Sequence, residues 1–143
     1  MNVGIRNSRG DVITKTDAHT LYPENYISKC VRYLEEYRAD AVGGAAKTLP
    51  NGFTLTAKAI ALTLGSRFGS RSSFRTGVDK PIESDTAFGS LYRKDVFKRI
   101  GLFNENLTRS QDMDFNLRLT RAGGKILLAP DIELAYFPSA TFI

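Results

Sequence analysis

The only histidine of this 143-residue chain stands two places after an aspartate, in Asp17-Ala18-His19, where the β-branched run "DVITKTD" ends. A carboxylate and an imidazole this close can face one divalent cation. Carboxylate oxygen suits Mg²⁺ or Mn²⁺, and an imidazole nitrogen tips the choice towards Mn²⁺ or another transition metal. The plainer alternative is an aspartate ordering a turn through its own backbone, beside a solvated histidine. A second acidic pair, Asp112 and Asp114, brackets Met113 at the start of a helical run. Carboxylates there commonly do no more than complement the helix dipole, and that reading covers Asp114, which falls on another face from Asp112. Asp112 has the further option of general-base work, taking a proton from an attacking hydroxyl. Arg67, Arg71 and Arg75 lie in a stretch rich in Gly and Ser, either as a phosphate clamp or as a solvated linker. Asp85, two places after Glu83, either contacts a substrate or caps a turn.

The elements that must position these residues alternate between strand and helix patterns. Asp11–Asp17 reads as a strand after the turn signal Arg9-Gly10, delivering Asp17 and His19 into a loop at its carboxyl end. Pro23 suits the first turn of the next helix, in which Ile27, Val31 and Leu34 recur at core spacing and Tyr26, Cys30, Tyr33 and Tyr37 widen the stripe. Asp40–Ala46 is a short buried strand whose glycines weaken it or permit close backbone approach. A helix over Thr56–Leu64 leads to a basic loop, Gly65–Lys80. Ser84–Arg93 then runs into a short helix closed by Gly101. Ser110 is placed to cap the clearest helix, "SQDMDFNLRLTRAGG", with Phe115, Leu119 and Ala122 as its apolar stripe and Gly123 as its stop. Two short strands, Lys125–Ala129 and Ile132–Phe137, flank Pro130-Asp131. This alternation predicts a single α/β domain with a largely parallel or mixed sheet, in which ligands gather beyond the carboxyl ends of the strands.

Composition narrows the classes. Hydrophobic residues at 42% and charged residues at 24% are globular values that exclude wholesale disorder. The net charge of +5 and pI near 9.5 fit an anionic ligand, an anionic membrane or nucleic acid. Phe68 and Phe74 are too few for a base-stacking surface, so nucleic acid ranks last. One cysteine, Cys30, forms no internal disulfide and no zinc cluster, which predicts inert packing and a reducing compartment. No apolar run reaches the ~18 residues of a membrane span. A cytoplasmic protein is expected, with the basic loop available to the inner face of a membrane.

Taken in order, "NVGIRNSRGDVITKTDAH", "YPENYI", "ESDTAFGSLYRKDVFKRIGLFNENL", "RSQDMDFNLRLTRAGGKILLAP" and "AYFP" resemble inverting glycosyltransferases of family 2, which have the GT-A fold. The nearest flavour is the bacterial exopolysaccharide branch of succinoglycan type. The resemblance implies a nucleotide-sugar donor, a carbohydrate or lipid-linked acceptor, and a divalent metal, Mn²⁺ or Mg²⁺. It sets Asp17-Ala18-His19 at the family's DxD position, with Asp17 on the donor and metal and His19 helping to hold the metal. Gln111-Asp112 stands at the family's Glu-Asp pair, with Asp112 as base. Asp85 falls at an acceptor-side or donor-sugar contact, and Arg75 is a candidate for the donor's phosphates. The processive QxxRW signature is absent, which implies one sugar per encounter. The family's first strands are also missing, so the resemblance implies a GT-A mixed sheet cut at its N-terminal side. An edge left unpaired there invites a homodimer or a partner fragment, and weak nucleotide affinity is expected of this chain alone. The alternative function is a non-catalytic fragment acting with a partner chain.

Overall fold

The computed structural model of the protein describes residues 1–66 and 78–139. The elements in chain order are α1 (Asn2–Asn7), β1 (Val12–Thr14), β2 (Thr20–Leu21), α2 (Tyr26–Glu36), β3 (Ala41–Thr48), α3 (Leu55–Gly65), β4 (Ile82–Glu83), β5 (Phe88–Arg93), α4 (Val96–Arg99), α5 (Gln111–Arg121) and β6 (Ile126–Tyr136). Among the described residues the strands form one six-stranded sheet in the order β1-β5-β3-β6-β2, with β4 also on β6. Only β3 and β6 run parallel, and the other pairings are antiparallel. The sheet is therefore mixed, as the alternation predicted, and less parallel than strand–helix alternation alone suggests. β1 and β2 are the two edge strands of the path.

Strand alternation divides the core between two faces. Ala41, Tyr92, Ile126 and Leu128 pack on one side with α4, α5 and α1, around Phe97, Phe103, Phe115 and Leu119. Val42, Leu91, Leu127 and Leu134 pack on the other against α2, through Tyr26, Cys30, Tyr33 and Leu34. The N-terminal segment is thus a helix whose Ile5 joins the first cluster. Its buried Asn2 donates from Nδ2 to the Phe103 carbonyl (2.8 Å) and accepts from the Phe103 N–H (3.1 Å).

Four local expectations need correction. The two C-terminal strands are one, β6, because Pro130-Asp131 sits in a bulge. Gly43 pairs with Leu128 and Ala45 with Glu133, so β6 carries extra residues there, and proline is tolerated where no ladder hydrogen bond is asked of it. The core face of α2 is Tyr26, Cys30, Tyr33 and Leu34, whereas Ile27 is 46% exposed. Positions 26, 30, 33 and 37 make a stripe one residue round from 27, 31 and 34, and the tyrosine rings fill the wider gap to the sheet. Pro23 lies ahead of α2, in the turn where its carbonyl accepts from Tyr26 N–H (2.9 Å). Ser110 precedes α5 but makes no side-chain cap, because its backbone is left-handed (φ 59°) instead of extended.

The glycines of β3 serve close approach. A Cβ on Gly43 would collide with the Phe88 carbonyl, and one on Gly44 with the Ile132 carbonyl, so strands on both flanks press onto β3 at one level.

Candidate active site

A second bulge lies beside the first, on β5. Val42 pairs with Leu91 and Gly44 with Phe88, leaving one extra residue on β5 where Gly89 takes φ +60°. Tyr26 of α2 donates its hydroxyl proton to the Gly89 carbonyl, and Thr14 at the end of β1 lies 3.2 Å from the same phenol oxygen. Burial pushes the Tyr26 phenol up, so it stays a neutral donor. The bulge turns Phe88, Gly89 and Ser90 towards a cleft of about 870 Å³, a size suited to a small ligand.

Asp17, Asp85 and Asp112 all line that cleft, from three separate parts of the chain. Asp112 stands exposed in the first turn of α5, and that helix is firmly held. Phe115 and Leu119 are fully buried. Arg118 donates to Asp114 (3.0 Å) and to the carbonyls of Ile100 (2.8 Å) and Leu102 (2.9 Å). Asp114 is therefore an intrahelical ion-pair partner of Arg118, and it lines the same cleft as Asp112 although the sequence set it on another face. Gln111 donates from Nε2 to the Leu107 carbonyl (2.6 Å), tying the start of α5 to the preceding turn. A glutamate at this position has no proton for that bond when ionised.

Asp17 and His19 part company within one turn. The Asp17 carbonyl accepts from Thr20 N–H (3.1 Å), its own N–H donates to the Tyr22 hydroxyl (3.2 Å), and its carboxylate pairs with Lys15 (3.4 Å). Asp17 and Lys15 line the cleft, and His19 is absent from its lining. The exposed His19 ring instead meets Tyr136 edge-on at 5.1 Å between centroids. Tyr136 in turn meets Phe88, which does line the cleft. Asp85 is exposed on the cleft wall and accepts from Ser84 Oγ (3.3 Å). Arg75 lies outside the described residues, as do Arg67 and Arg71.

Sequence reasoning missed three further cleft residues: Lys15, Arg109 and Asn116. Lys15 and Arg109 are the cations of a wall otherwise rich in carboxylates, and nothing in their spacing marks them. Asn116 had a readable signal, because a polar residue falls between the apolar positions 115 and 119 one turn after Asp112. It is buried, accepts from the Tyr92 hydroxyl (2.8 Å) and donates to Thr86 Oγ1 (3.2 Å), so α5 is tied to β5 beneath the carboxylate. Burial raises the Tyr92 phenol well above its ordinary value, and the nearby Asp112 charge adds to this.

The family model described as glycosyl transferase family 2 matches residues 1–101. The chain belongs to this family. It is 29% identical over 134 residues to the succinoglycan biosynthesis protein ExoA of Rhizobium meliloti (strain 1021), covering 93% of this chain and 40% of that protein. It is 27% identical over 142 residues to the dolichyl N-acetyl-alpha-D-glucosaminyl phosphate 3-beta-D-2,3-diacetamido-2,3-dideoxy-beta-D-glucuronosyltransferase of Methanococcus voltae, covering 95% of this chain and 43% of that protein. The chain thus spans less than half the length of the curated relatives it matches. Among solved structures, S. aureus TarS 1–349 in complex with UDP-GlcNAc superimposes with a TM-score of 0.68 at 15% identity, covering 96% of this chain and 38% of that one. GalNAc-T7 with UDP, GalNAc and Mn²⁺ gives 0.66 at 15% identity, covering 96% and 29%. These two likenesses establish the fold, a GT-A mixed sheet flanked by helices, of which this family 2 chain forms part.

No group of three or more His, Cys, Asp or Glu suited to a metal occurs among the described residues. A cation on a diphosphate makes a smaller demand of the protein, because phosphate oxygens and water can fill all but one or two of its positions. Asp17, a carboxylate on the cleft wall, is the candidate ligand for such a cation. His19, exposed but turned to Tyr136 and off the cleft lining, would have to swing towards Asp17 to serve as a second ligand.

Proposed function

We propose that this chain provides the acceptor side and the metal-facing carboxylate of an inverting sugar transferase, which moves a hexose from a nucleotide sugar to a carbohydrate or lipid-linked acceptor. The observation that carries the reading is one cleft shared by Asp17, Asp85 and Asp112 in a family 2 chain. Asp112, free of ion pairs among the described residues, takes the proton from the acceptor hydroxyl. The oxygen then attacks the anomeric carbon from the face opposite the diphosphate. The new C–O bond forms as the bond to the diphosphate breaks, and the leaving group keeps the electron pair. Asp17 and His19 would hold Mn²⁺ or Mg²⁺, which supplies positive charge to the departing diphosphate. Asp85 contacts the donor sugar, and Arg75 is assigned to the phosphates from sequence alone. Kinship with ExoA favours exopolysaccharide or another surface glycan as the destination, and the proposal sets the reaction on the cytoplasmic side of a membrane.

Titrating Mn²⁺ with UDP-glucose, and with GDP-mannose in parallel, into the chain and its His19→Ala variant by calorimetry tests the donor site. Metal-dependent binding that His19→Ala weakens supports the reading. With donor bound, Asp112→Asn should keep affinity and lose transfer by roughly 10²–10⁴-fold. Absence of donor binding by a folded chain overturns the reading.

A further inference from the structure

Helix α3 is apolar on both sides. In "LTAKAIALTLG" the only charged residue is Lys58. One side, Ala57, Ile60 and Ala61, is buried. The opposite side presents Leu55, Lys58, Ala59 and Leu62, preceded by Phe53, and all five are exposed. Phe53 is 97%, Leu55 85% and Leu62 75% exposed, the three highest values among the large apolar side chains described. Nothing in the local fold requires this. Thr54 caps the helix by accepting from Ala57 N–H (3.1 Å), so the helix starts without help from its outer face. A helix with apolar residues all round is ordinarily covered on both sides, and three large side chains left in water mark a surface that meets something.

Charge says what that something is. From residue 48 to residue 78 the sequence contains Lys58, Arg67, Arg71 and Arg75 and not one Asp or Glu, whereas Lys47, just before, is paired with Glu133 (3.2 Å). An apolar partner protein would not require so one-sided a segment, whereas an anionic lipid surface rewards it, at about 1 kcal/mol per basic residue near the headgroups. Leu and Phe beside Lys on an exposed face suit the headgroup boundary, where the apolar side chains can enter the acyl region while the lysine keeps its ammonium at the phosphates. No helix among the described residues is long and apolar enough to cross a membrane, so this contact would be peripheral.

We propose that the outer face of α3, comprising Phe53, Leu55, Lys58 and Leu62, docks on an anionic phospholipid surface. The contact is independent of the assignment of Asp17 and Asp112, and it sets this chain against the leaflet from which a lipid-linked acceptor would be presented.

The protein has no tryptophan, so Phe53→Trp installs a single fluorophore on the face. Vesicles of phosphatidylcholine with phosphatidylglycerol should shift its emission to the blue and carry the chain down in co-sedimentation. Phosphatidylcholine alone should do so weakly, and added salt should loosen the anionic complex. Replacing Phe53, Leu55 and Leu62 together with serine should lower the partition coefficient at least about tenfold, given three apolar anchors lost. Lys58→Glu should lower it about fivefold on anionic vesicles only. The proposal is overturned if the chain stays in the supernatant with both vesicles, or if the Phe53→Trp variant co-sediments while its indole emission remains that of a water-exposed ring. It is equally overturned if the triple variant, folded by circular dichroism, binds undiminished. A dimer in sedimentation velocity that the triple variant dissolves, with no vesicle binding by the parent, would assign the face to a second copy instead.

Discussion

The two carboxylates on which the proposed transfer reaction rests are held in opposite ways. Asp112 stands on α5, a helix with two fully buried anchors, a guanidinium fork on two loop carbonyls and a buried amide tied to β5. Asp17 stands in a turn where its carbonyl accepts from Thr20 N–H and its N–H donates to the Tyr22 hydroxyl, with its carboxylate paired to Lys15 of the same loop. The proposed base is thus organised before any ligand arrives. The proposed donor side has short-range support and a cation-paired carboxylate that a metal would have to take from Lys15. General-base chemistry depends on placing one oxygen within hydrogen-bond reach of a hydroxyl, so rigidity belongs on the α5 side.

Raising the pH should break the frame under both halves together, and it is the largest effect expected. Burial pushes the Cys30 thiol up to about 12, and it also raises the Tyr26 and Tyr92 phenols. Groups whose folded values lie above their unfolded ones stabilise fully below the unfolded values, and that stability is lost as pH rises past them. Unfolding followed by circular dichroism should therefore set in above pH ~9–10, with tyrosinate absorbance appearing in step with it. Phe115→Ala should strike the α5 half alone, costing about 3–5 kcal/mol in urea denaturation because the ring is fully buried among other aromatics. Arg118→Ala should cost about 1–3 kcal/mol by orphaning two carbonyls. If α5 is what places Asp112, this variant should lower kcat while leaving donor affinity unchanged. Asp17→Asn sharpens the contrast from the other side. It should shift stability by no more than ~0.5 kcal/mol, since only a partly exposed pair with Lys15 is lost, yet it should abolish metal-dependent donor binding. A large loss of stability in Asp17→Asn, or none in Arg118→Ala, would dissolve the comparison.

The same contrast explains what the sequence made legible. α5 could be read because its spacing, acidic first turn and closing glycines agree with one another. α2 could be read as a helix, but its face could not be read to the residue: Leu34 of the 27, 31, 34 series is buried and Ile27 is not, and only the sheet beneath decides which positions face it. Pro130 read as a break because a bulge is a relation between two strands, and its partner at Gly43–Ala45 lies far back along the chain. Asp17, Asp85 and Asp112 could be nominated by type and order. That they share a cleft with Lys15 and Arg109, while His19 turns to Tyr136, depends on a backbone turn that residue types leave undetermined.

The place of β6 has a consequence during synthesis. It is the last of the described strands to leave the ribosome and the one on which β2, β3 and β4 all pair. Until residues 126–136 emerge, β2 and β4 have no sheet to join and one flank of β3 is bare. The sheet therefore closes late and from its middle, through contacts of long sequence separation that slow folding. Nascent chains carry the apolar segment 41–64 through that whole interval, and chaperone capture during translation is where the architecture concentrates its risk.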